Sequence, residues 1–315
     1  MSARNRIIPI FVPHLGCEHN CVFCNQKRIS GEERPARAED VKKATAGFAD
    51  CQVAFYGGSF TAVPASMQEE LLGAAEGHSI RLSTRPDAID EAVLSRLKRF
   101  NVETVELGAQ SLDDEVLRLS GRGHTAEDVA KASRQIKEAG FRLILQMMTG
   151  LPGDTKEKTL ETARKIIALQ PDGVRIYPTV IVKDTELAEL WQTGKYREHT
   201  VEEAVDWCSA IVPLFEAAGI PVIRLGLNPT DELSGGAALG GAYHPALGEL
   251  VLSRMMRNEL EKRLVGGDYE TEDGTVILRV PKEKLSQAIG QHRCNIDWLQ
   301  EKYHLQRIKI LMYNI

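Results

Sequence analysis

One short run, CEHNCVFC, holds three cysteines: Cys17, Cys21 and Cys24. Their C-x3-C-x2-C spacing supplies three thiolates, whereas a structural zinc site takes four closed ligands and an ordinary 4Fe–4S cluster takes four cysteines. Three thiolates on a 4Fe–4S cube leave one iron open to chelate a small molecule. The alternative is zinc, with His14 or His19 completing a Cys3His set. Phe23 favours the cluster, since an apolar shield helps to hold the cluster potential low.

Glycines and polar residues that could bind a small molecule follow the predicted strands. Gly57 and Gly58, next to Ser59, follow the second strand, and paired glycines let the backbone approach a ligand closely. Arg85 follows the third strand and could hold a carboxylate by a forked pair of hydrogen bonds. An S-adenosylmethionine (SAM) molecule on the open iron would present such amino and carboxylate groups. A simple turn, or a helix start fixed by proline, is the alternative for these stretches.

Later strands carry further candidates. Glu106 and Gln110, after the fourth strand, have oxygens that could bind ribose hydroxyls or a substrate, and Gln146 in the fifth strand could line an adenine pocket. Tyr177 and Lys183, in and after the sixth strand, are candidates for substrate contact. The alternatives are a salt-bridged strand end for Glu106 and core packing for Tyr177.

The elements that must position these residues alternate between strand and helix. Strands are predicted at 6–13, 51–56, 79–84, 102–107, 141–148 and 173–178, with a further short one at 221–225. Strands that alternate with helices form a parallel sheet by right-handed crossovers, and its active site lies at the carboxyl ends of the strands. Six such units favour an α/β fold, a partial (βα)6 TIM-type barrel open on one side, over a doubly wound sheet.

The composition changes after the barrel. The stretch 226–246 is rich in Gly, Ala and Pro, which predicts a loop or linker across the barrel mouth. We therefore divide the chain into a barrel with its extension, 1–240, and a second domain, 241–315. The order predicted for the second domain, α-β-β-α-α-β, is that of the type II KH fold, a small α+β RNA-binding module.

The tail is basic in an otherwise acidic chain. From residue 275 it holds seven Lys or Arg against three acidic residues, while the whole chain has a net charge of −5. A KH loop normally reads GxxG, and here it reads Gly290-Gln291-His292-Arg293. The second glycine is lost, but Arg293 adds a phosphate-seeking charge, and Lys282 and Lys284 lie just before it. RNA binding is the prediction, and a structural or dimerising role is the alternative.

Bulk composition excludes few classes of protein. A hydrophobic content of 43% over 315 residues is ordinary for a globular protein. We find no apolar run long enough to span a bilayer and no signal peptide. With thiols reserved for metal, a reducing cytoplasmic setting is expected. The net charge excludes a protein that is basic throughout, but not a local basic face.

Taken together, these residues resemble the radical SAM superfamily, and within it the radical domain of the Elongator catalytic subunit family, which modifies the wobble uridine of tRNA. The matching stretches are the cysteine loop, YGGSF (56–60), STRPD (83–87), VELGAQS (105–111), RGHT (122–125), GLPGDT (150–155) and RIYPTVIVKDTELAELWQTGKY (175–196). The resemblance covers about residues 6–226. It implies that the three cysteines bind a 4Fe–4S cluster and that Gly57, Gly58, Arg85 and Glu106 contact SAM.

Two departures limit that resemblance. The Elongator family has wider cysteine spacing than the C-x3-C-x2-C run found here. It also has an acetyltransferase domain that handles acetyl-CoA, which we do not expect in this sequence. The resemblance therefore implies a radical enzyme that reductively cleaves SAM to a 5′-deoxyadenosyl radical, without the Elongator reaction as a whole. RNA, most simply tRNA, is the expected substrate, and flavodoxin or ferredoxin the expected electron donor.

Two other functions stay open at this point. One is radical chemistry on a small molecule, as in the oxygen-independent coproporphyrinogen dehydrogenases, which share the cysteine loop and glycine pair. The other is an iron–sulfur protein that binds RNA or assists assembly without productive SAM cleavage. Cleavage of SAM that RNA stimulates would distinguish the expected function from both.

Overall fold

The computed structural model describes residues 6–12, 14–17, 19–32, 34–48 and 50–313. Up to residue 225 the strands are β1 (Arg6–Phe11), β2 (Cys51–Tyr56), β3 (Ser79–Thr84), β4 (Val102–Gln110), β5 (Arg142–Thr149), β6 (Gly173–Pro178), β7 (Val180–Val182) and β8 (Val222–Leu225). The strand predicted at 6–13 thus ends two residues early, and its last residue, Pro13, lies outside the described residues.

All of these strands except β7 form one parallel sheet, in the order β1-β2-β3-β4-β5-β6-β8. The sequential order confirms the predicted partial barrel, because each strand is added beside the one before it. Strands β1 and β8 are the two edges, so the barrel is open on one side. The short strand predicted at 221–225 is the last member of the sheet.

Helices connect the strands. They are α1 (Gln26–Ser30), α2 (Ala38–Thr45), α3 (Ala65–Ala74), α4 (Glu91–Lys98), α5 (Asp114–Leu119), α6 (Ala126–Glu138), α7 (Lys156–Ala168), α8 (Glu186–Gln192) and α9 (Val201–Ala217). Threonine starts several of them. Thr125 accepts a hydrogen bond from the Asp128 backbone N–H, and the Asp128 carboxylate accepts one back, a capping box that fixes the start of α6 as predicted.

The central strand β4 buries a charged side chain that needs hydrogen-bond partners. Residues 104–110 of this strand are all buried, as expected for a parallel strand covered on both faces. Val105 and Leu107 point into the core. The side chains between them face the inside of the half-barrel, so Glu106 is buried there and must find donors within the protein.

The glycine-rich segment, 226–246, is more ordered than its composition predicts. It contains a π-helical turn (Leu233–Ala237) and strand β9 (Ala238–Gly241), which pairs antiparallel with β7. Glycine is needed there, because a Cβ on Gly241 would lie 2.7 Å from the backbone oxygen of Thr179. Leu227, Asn228 and Thr230 line the central cavity, so the segment reaches the mouth of the barrel.

The second domain has the predicted order of elements. It comprises α10 (Leu247–Val265), β10 (Glu270–Glu272), β11 (Thr275–Pro281), α11 (Leu285–Ile289), α12 (Cys294–Lys302) and β12 (Arg307–Tyr313). Strand β11 pairs antiparallel with β10 and parallel with β12. Asp273 and Gly274 both have positive φ between β10 and β11, as a two-residue hairpin turn requires.

Helix α10 belongs to two cores. Leu247 and Val251, at its start, pack in the core of the barrel, whereas Leu260 and Leu264 pack in the core of the second domain. A boundary at residues 240 and 241 therefore stays a prediction, since the first turns of α10 are also part of the barrel core. Within the residues described, no helix combines the length and apolar character that crossing a membrane requires.

Candidate active site

A cavity of about 740 Å³ opens at the carboxyl ends of the barrel strands. Loops and strand ends contribute its lining because the carboxyl ends of parallel strands meet at one edge. The predicted site residues that line it are Cys17, Cys21, Cys24, Gly57, Gly58, Arg85, Glu106, Gln110, Gln146 and Tyr177. Residues spread over 160 positions of the chain are thus gathered around one space.

Two predicted site residues do not line the cavity. The Ser59 hydroxyl is fully buried and lies 3.1 Å from the Thr84 hydroxyl, so it stabilises the loop after β2 instead of facing a ligand. Lys183 is exposed, and its backbone N–H donates to Ala237 in the glycine-rich segment. Ligand contact by Ser59 and by Lys183 therefore stays a prediction, which these contacts do not support.

The cysteine loop is held against the end of β2. The backbone N–H of His14 donates to Gly57, and that of Val12 to Tyr56. A Cβ on Gly58 would lie 2.4 Å from the backbone oxygen of Leu15 and 2.6 Å from that of Val12. Glycine at 58 is therefore required by close packing of the cysteine loop, whatever it also does toward a ligand.

Burial acts on two of the three thiols, although the Cys17 residue is exposed at the surface. Burial raises the pKa of Cys24 to about 12, with the neighbouring Cys21 thiol adding to the effect, and burial also raises the pKa of Cys17. A thiol binds metal as the thiolate. These cysteines therefore need a strong positive charge beside them to ionise, which a metal cluster supplies.

Two arginines supply positive charge to the same place. Arg122 donates from Nη1 to the Cys21 sulfur (3.1 Å) and from Nη2 to the Gly108 backbone oxygen (2.6 Å). Its Nε is buried and has no hydrogen-bond partner among the described residues. Arg85 Nη1 lies 4.0 Å from the same sulfur, but its fork is occupied by Asp87 (2.9 and 2.8 Å). Arg122 therefore makes the closer contact with the Cys21 sulfur, and Arg85 is held mainly by Asp87.

This donor set fits a cluster better than it fits zinc. The His14 Nε2 accepts the backbone N–H of Gln26 (3.0 Å), and His19 Nε2 lies 3.9 Å from Asp87. Both imidazoles have other partners. Three thiols that line one cavity, with Arg122 bonded to the middle one, suit a larger group held by three thiolates.

Glu106 is the centre of a buried network. Its Oε1 accepts hydrogen bonds from Arg81 Nη1, Arg175 Nη2 and the Tyr56 hydroxyl, each at 3.0 Å, and its Oε2 accepts one from the Gln146 amide (3.1 Å). The side chain of Glu106 is 0% exposed. Both oxygens are already engaged, so roles for Glu106 and Gln146 in binding SAM stay predictions. In the structure Glu106 is bonded to Gln146 and forms ion pairs with Arg81 and Arg175.

Gln110 ends β4 in a strained conformation. Its φ is +65°, and the pairing of β4 with β5 shifts register between Gly108 and Gln110. A Cβ on Gly108 would lie 3.0 Å from the Gln110 amide nitrogen and 3.4 Å from Arg122 Nη2, so glycine makes room for both side chains. Left-handed backbone at a non-glycine residue often accompanies a functional position.

The loop between α11 and α12 carries the residues predicted to bind RNA. Gln291, His292 and Arg293 are exposed, as are Lys282 and Lys284 before α11. Gly290, His292 and Arg293 have φ values of +77°, +51° and +65°, so left-handed backbone extends beyond the glycine. A Cβ on Gly290 would lie 2.6 Å from the Cys294 sulfur. No contact with RNA is tested by these observations, and that role stays a prediction.

Tyr56, Arg81 and Arg224 were not singled out from the sequence, and Arg122 was included only within the matching stretch RGHT. A signal existed for Arg81, since a charged residue in the apolar strand SIRLST must find a buried partner. Arg122 had no such signal, because its contact with Cys21 spans 101 positions of the chain.

Comparison with known proteins agrees with this geometry. A model of the radical SAM superfamily matches residues 11–166, and a model of the radical SAM C-terminal domain matches residues 171–257. A tRNA uridine(34) acetyltransferase of Methanocaldococcus infernus is 30% identical over 190 residues, 58% of this chain and 34% of that protein. Elongator complex protein 3 of Danio rerio is 31% identical over 179 residues, 56% of this chain and 32% of that protein.

The fold agrees as well. A solved structure of archaeal Methanocaldococcus infernus Elp3 with an N-terminal deletion superposes with a TM-score of 0.65 at 21% identity, covering 82% of this chain and 64% of that one. This likeness concerns the fold. The chain spans about a third of the length of the two curated relatives named above.

Proposed function

We propose that this chain, which belongs to the radical SAM superfamily, modifies a base in RNA, most simply in a tRNA. Its cofactors are a 4Fe–4S cluster and SAM. Cys17, Cys21 and Cys24 would hold the cluster, which, when bound, supplies the electron that cleaves SAM.

The other residues of the cavity prepare that chemistry. Arg122 donates to the Cys21 sulfur, and a hydrogen bond to a ligating sulfur tunes the potential of a bound cluster. Glu106 fixes Arg81 and Arg175 in one arrangement, so the inner wall of the barrel does not have to reorganise when a substrate binds.

The observation that carries the RNA proposal is the exposed cationic loop, residues 290–293, of the second domain. Its backbone is left-handed at His292 and Arg293, an arrangement that costs free energy and is kept most often at functional loops. Arg293 is 3.9 Å from Asp297, an exposed and weak pair, so its charge is available to a phosphate. Two relatives of the barrel are tRNA uridine(34) acetyltransferases, and this similarity supports tRNA as the substrate.

The setting of the reaction follows from its chemistry. An electron donor such as flavodoxin or ferredoxin is needed to reduce the cluster, and a reducing cytoplasm keeps the thiols available to it. Acetyl transfer is not carried over from the relatives, because they match this chain over about a third of their length. A radical addition or hydrogen abstraction at the base is the reaction that the cavity supports.

The first experiment is formation of 5′-deoxyadenosine by anaerobically reconstituted protein, with SAM and a strong reductant, in the presence and absence of bulk tRNA. We expect formation that rises with tRNA and disappears in Cys21→Ala. Cys51→Ala is the matched control, since Cys51 is a buried cysteine outside the loop. Mass spectrometry of the treated tRNA then locates the modified base.

The opposite results are as informative. Formation that is indifferent to tRNA would contradict the RNA substrate and favour radical chemistry on a small molecule. No formation by protein with a fully assembled cluster would contradict the enzyme and favour an iron–sulfur RNA-binding protein.

A further inference from the structure

Two arginines lie side by side on the wall of the cavity that β6 and β8 form. Arg175 on β6 and Arg224 on β8 are register partners in adjacent parallel strands. Both line the cavity. In the sheet these strands are at the opposite end from β1, which leads into the cysteine loop. The pair therefore lies on the wall formed by the last two strands of the sheet, where Arg175 also reaches the Tyr56 hydroxyl of β2.

This wall carries more positive than negative charge. Glu106 is the buried carboxylate here, and it is shared between Arg81 and Arg175. Arg224 donates from Nε to the Gly226 backbone oxygen (3.1 Å), and within the described part of the chain no carboxylate lies at ion-pair distance from it. The cavity lining has two other carboxylates: Asp184 is paired with Arg28 (3.1 Å), and Glu186 is exposed at the start of α8. Like charges on adjacent strands are unfavourable, so an anion between them would be stabilising.

Aromatic surface adjoins the pair. Tyr177 is two residues beyond Arg175, on the same face of β6, and lines the cavity. The Tyr56 hydroxyl accepts a hydrogen bond from Arg175 (3.1 Å), and its ring also lines the cavity. Flat rings beside guanidinium forks are the groups that bind the base and the phosphate of a single-stranded nucleotide.

We propose that Arg175 and Arg224 form an anion-binding subsite that holds an oxygen anion of the substrate while its reacting part lies toward the cysteine loop. The proposal rests on the proposed function, in which that anion is a phosphate beside the modified base. A carboxylate of a small co-substrate has the same binding chemistry, and the experiment distinguishes the two. Arg175 is fixed by Glu106 and Tyr56, whereas Arg224 provides the unpaired charge.

The test is equilibrium dialysis with the anaerobically purified holoprotein in the presence of SAM. The probes are uridine, uridine 5′-monophosphate and malonate. Because hydrogen bonds to a charged group are strong, we expect the monophosphate to bind about tenfold more tightly than uridine. Arg224→Gln should reduce this advantage to about twofold, and Arg224→Lys, which keeps the charge, should retain most of it.

The matched control is Arg142→Gln, which removes an exposed arginine from the opposite, amino end of β5. It should leave the advantage unchanged. Malonate binding that Arg224→Gln abolishes, without an advantage for the monophosphate, would support the subsite and assign it to a carboxylate. An equal affinity for uridine and the monophosphate without malonate binding, or an advantage that survives Arg224→Gln, would overturn the proposal.

These outcomes are separate from those of the proposed function. Binding is measured without SAM cleavage, on the same preparation that is assayed for stimulation by tRNA. If tRNA stimulates SAM cleavage but the protein shows no preference for the anionic probes, the subsite is contradicted and the proposed function is retained. An anion preference without any stimulation by tRNA would retain the subsite and reject the RNA substrate.

Discussion

Charged residues serve opposite purposes in the barrel and in the second domain. Inside the barrel, Arg81 and Arg122 are largely buried and bonded to fixed partners, a carboxylate in one case and a cysteine sulfur in the other. In the second domain, Lys282, Lys284 and Arg293 are exposed and are tied weakly or not at all to described neighbours. Buried charges must be paired or they destabilise the fold, whereas exposed charges contribute little to stability. The barrel charges therefore shape the site, and those of the second domain are available to a partner.

The largest difference should come from the cysteine loop. Cys21→Ala removes one of three thiolates, so we expect loss of the cluster and 5′-deoxyadenosine at background level. Iron content and visible absorption of anaerobic protein measure the first, and product analysis the second. Arg293→Gln, in the second domain, should change neither in the absence of RNA. A cluster that survives in Cys21→Ala would contradict the assignment.

Glu106→Gln tests whether the barrel charges are structural. It leaves Arg81 and Arg175 buried without a counter-charge, so we expect a loss of about 3 kcal/mol in the free energy of unfolding. Chemical denaturation measures it. Glu103→Gln, on the same strand but exposed, is the matched control and should change the unfolding free energy by less than about 0.5 kcal/mol. Equal effects of the two substitutions would show that the network does not matter for stability.

Acid should weaken the barrel through its buried imidazoles. Burial lowers the pKa of His124 and of His199 to about 4, below the ordinary value near 6.5. Between these values the unfolded chain binds more protons than the folded one, so stability present above pH 6.5 is lost as the pH falls toward 4. Each imidazole accounts for roughly 3 kcal/mol.

The check is unfolding measured from pH 7 to pH 4 in the wild type and in His199→Asn, which should show a shallower loss. Asp154 acts in the opposite direction, since burial raises its pKa to about 6 and its protonation on acidification offsets part of the loss. Stability that is flat or rises as the pH falls from 6.5 to 4 would contradict the prediction.

Arg122→Gln should affect the cluster more than the fold. The substitution removes a positive charge and a hydrogen bond from the Cys21 sulfur, so the cluster potential should become more negative and SAM cleavage should slow by about 10- to 100-fold. A redox titration and product formation measure these effects. Arg118→Gln, an exposed arginine of α5, is the matched control. An unchanged cluster potential in Arg122→Gln would contradict a role for Arg122 in tuning the cluster.

The smallest effect is expected in the second domain. Arg293→Gln should weaken tRNA binding a few-fold and reduce the slope of log affinity against log salt by about 0.7, the value for one phosphate contact to a single strand. Unfolding should not change. Arg134→Gln, exposed on the outer helix α6, should leave the slope intact. The same slope in wild type and Arg293→Gln would contradict a phosphate contact.

Much of the architecture could be predicted because it depends on local patterns. Alternating strands and helices imply a parallel sheet, and the carboxyl ends of such a sheet are one edge. The cysteine loop, the glycine pair and Glu106 were therefore expected to meet, and they line one cavity. The order of elements in the second domain followed from helix and strand patterns and one Asp-Gly turn in the same way.

The hydrogen bonds and ion pairs within the site could not be predicted from such local patterns. Strand register and side-chain direction decide three features of the site. They are the donors that reach Glu106, the two hydrogen bonds from Arg85 to Asp87, and the exposure of Lys183. Register shifts such as the one at Gly108 move every later side chain, and no local pattern encodes them.

The sequence by itself thus determined the class of chemistry, three thiolates near glycines at a sheet edge, and the presence of a basic second domain. Only the tertiary structure decided which charged side chains pair with one another and which stay exposed to a partner. Arg122 and Cys21 show this, since their contact joins residues 101 positions apart. The physical reason is that a buried charge is stabilised by whichever partner the packed strands bring near it, and that choice is made by the sheet as a whole.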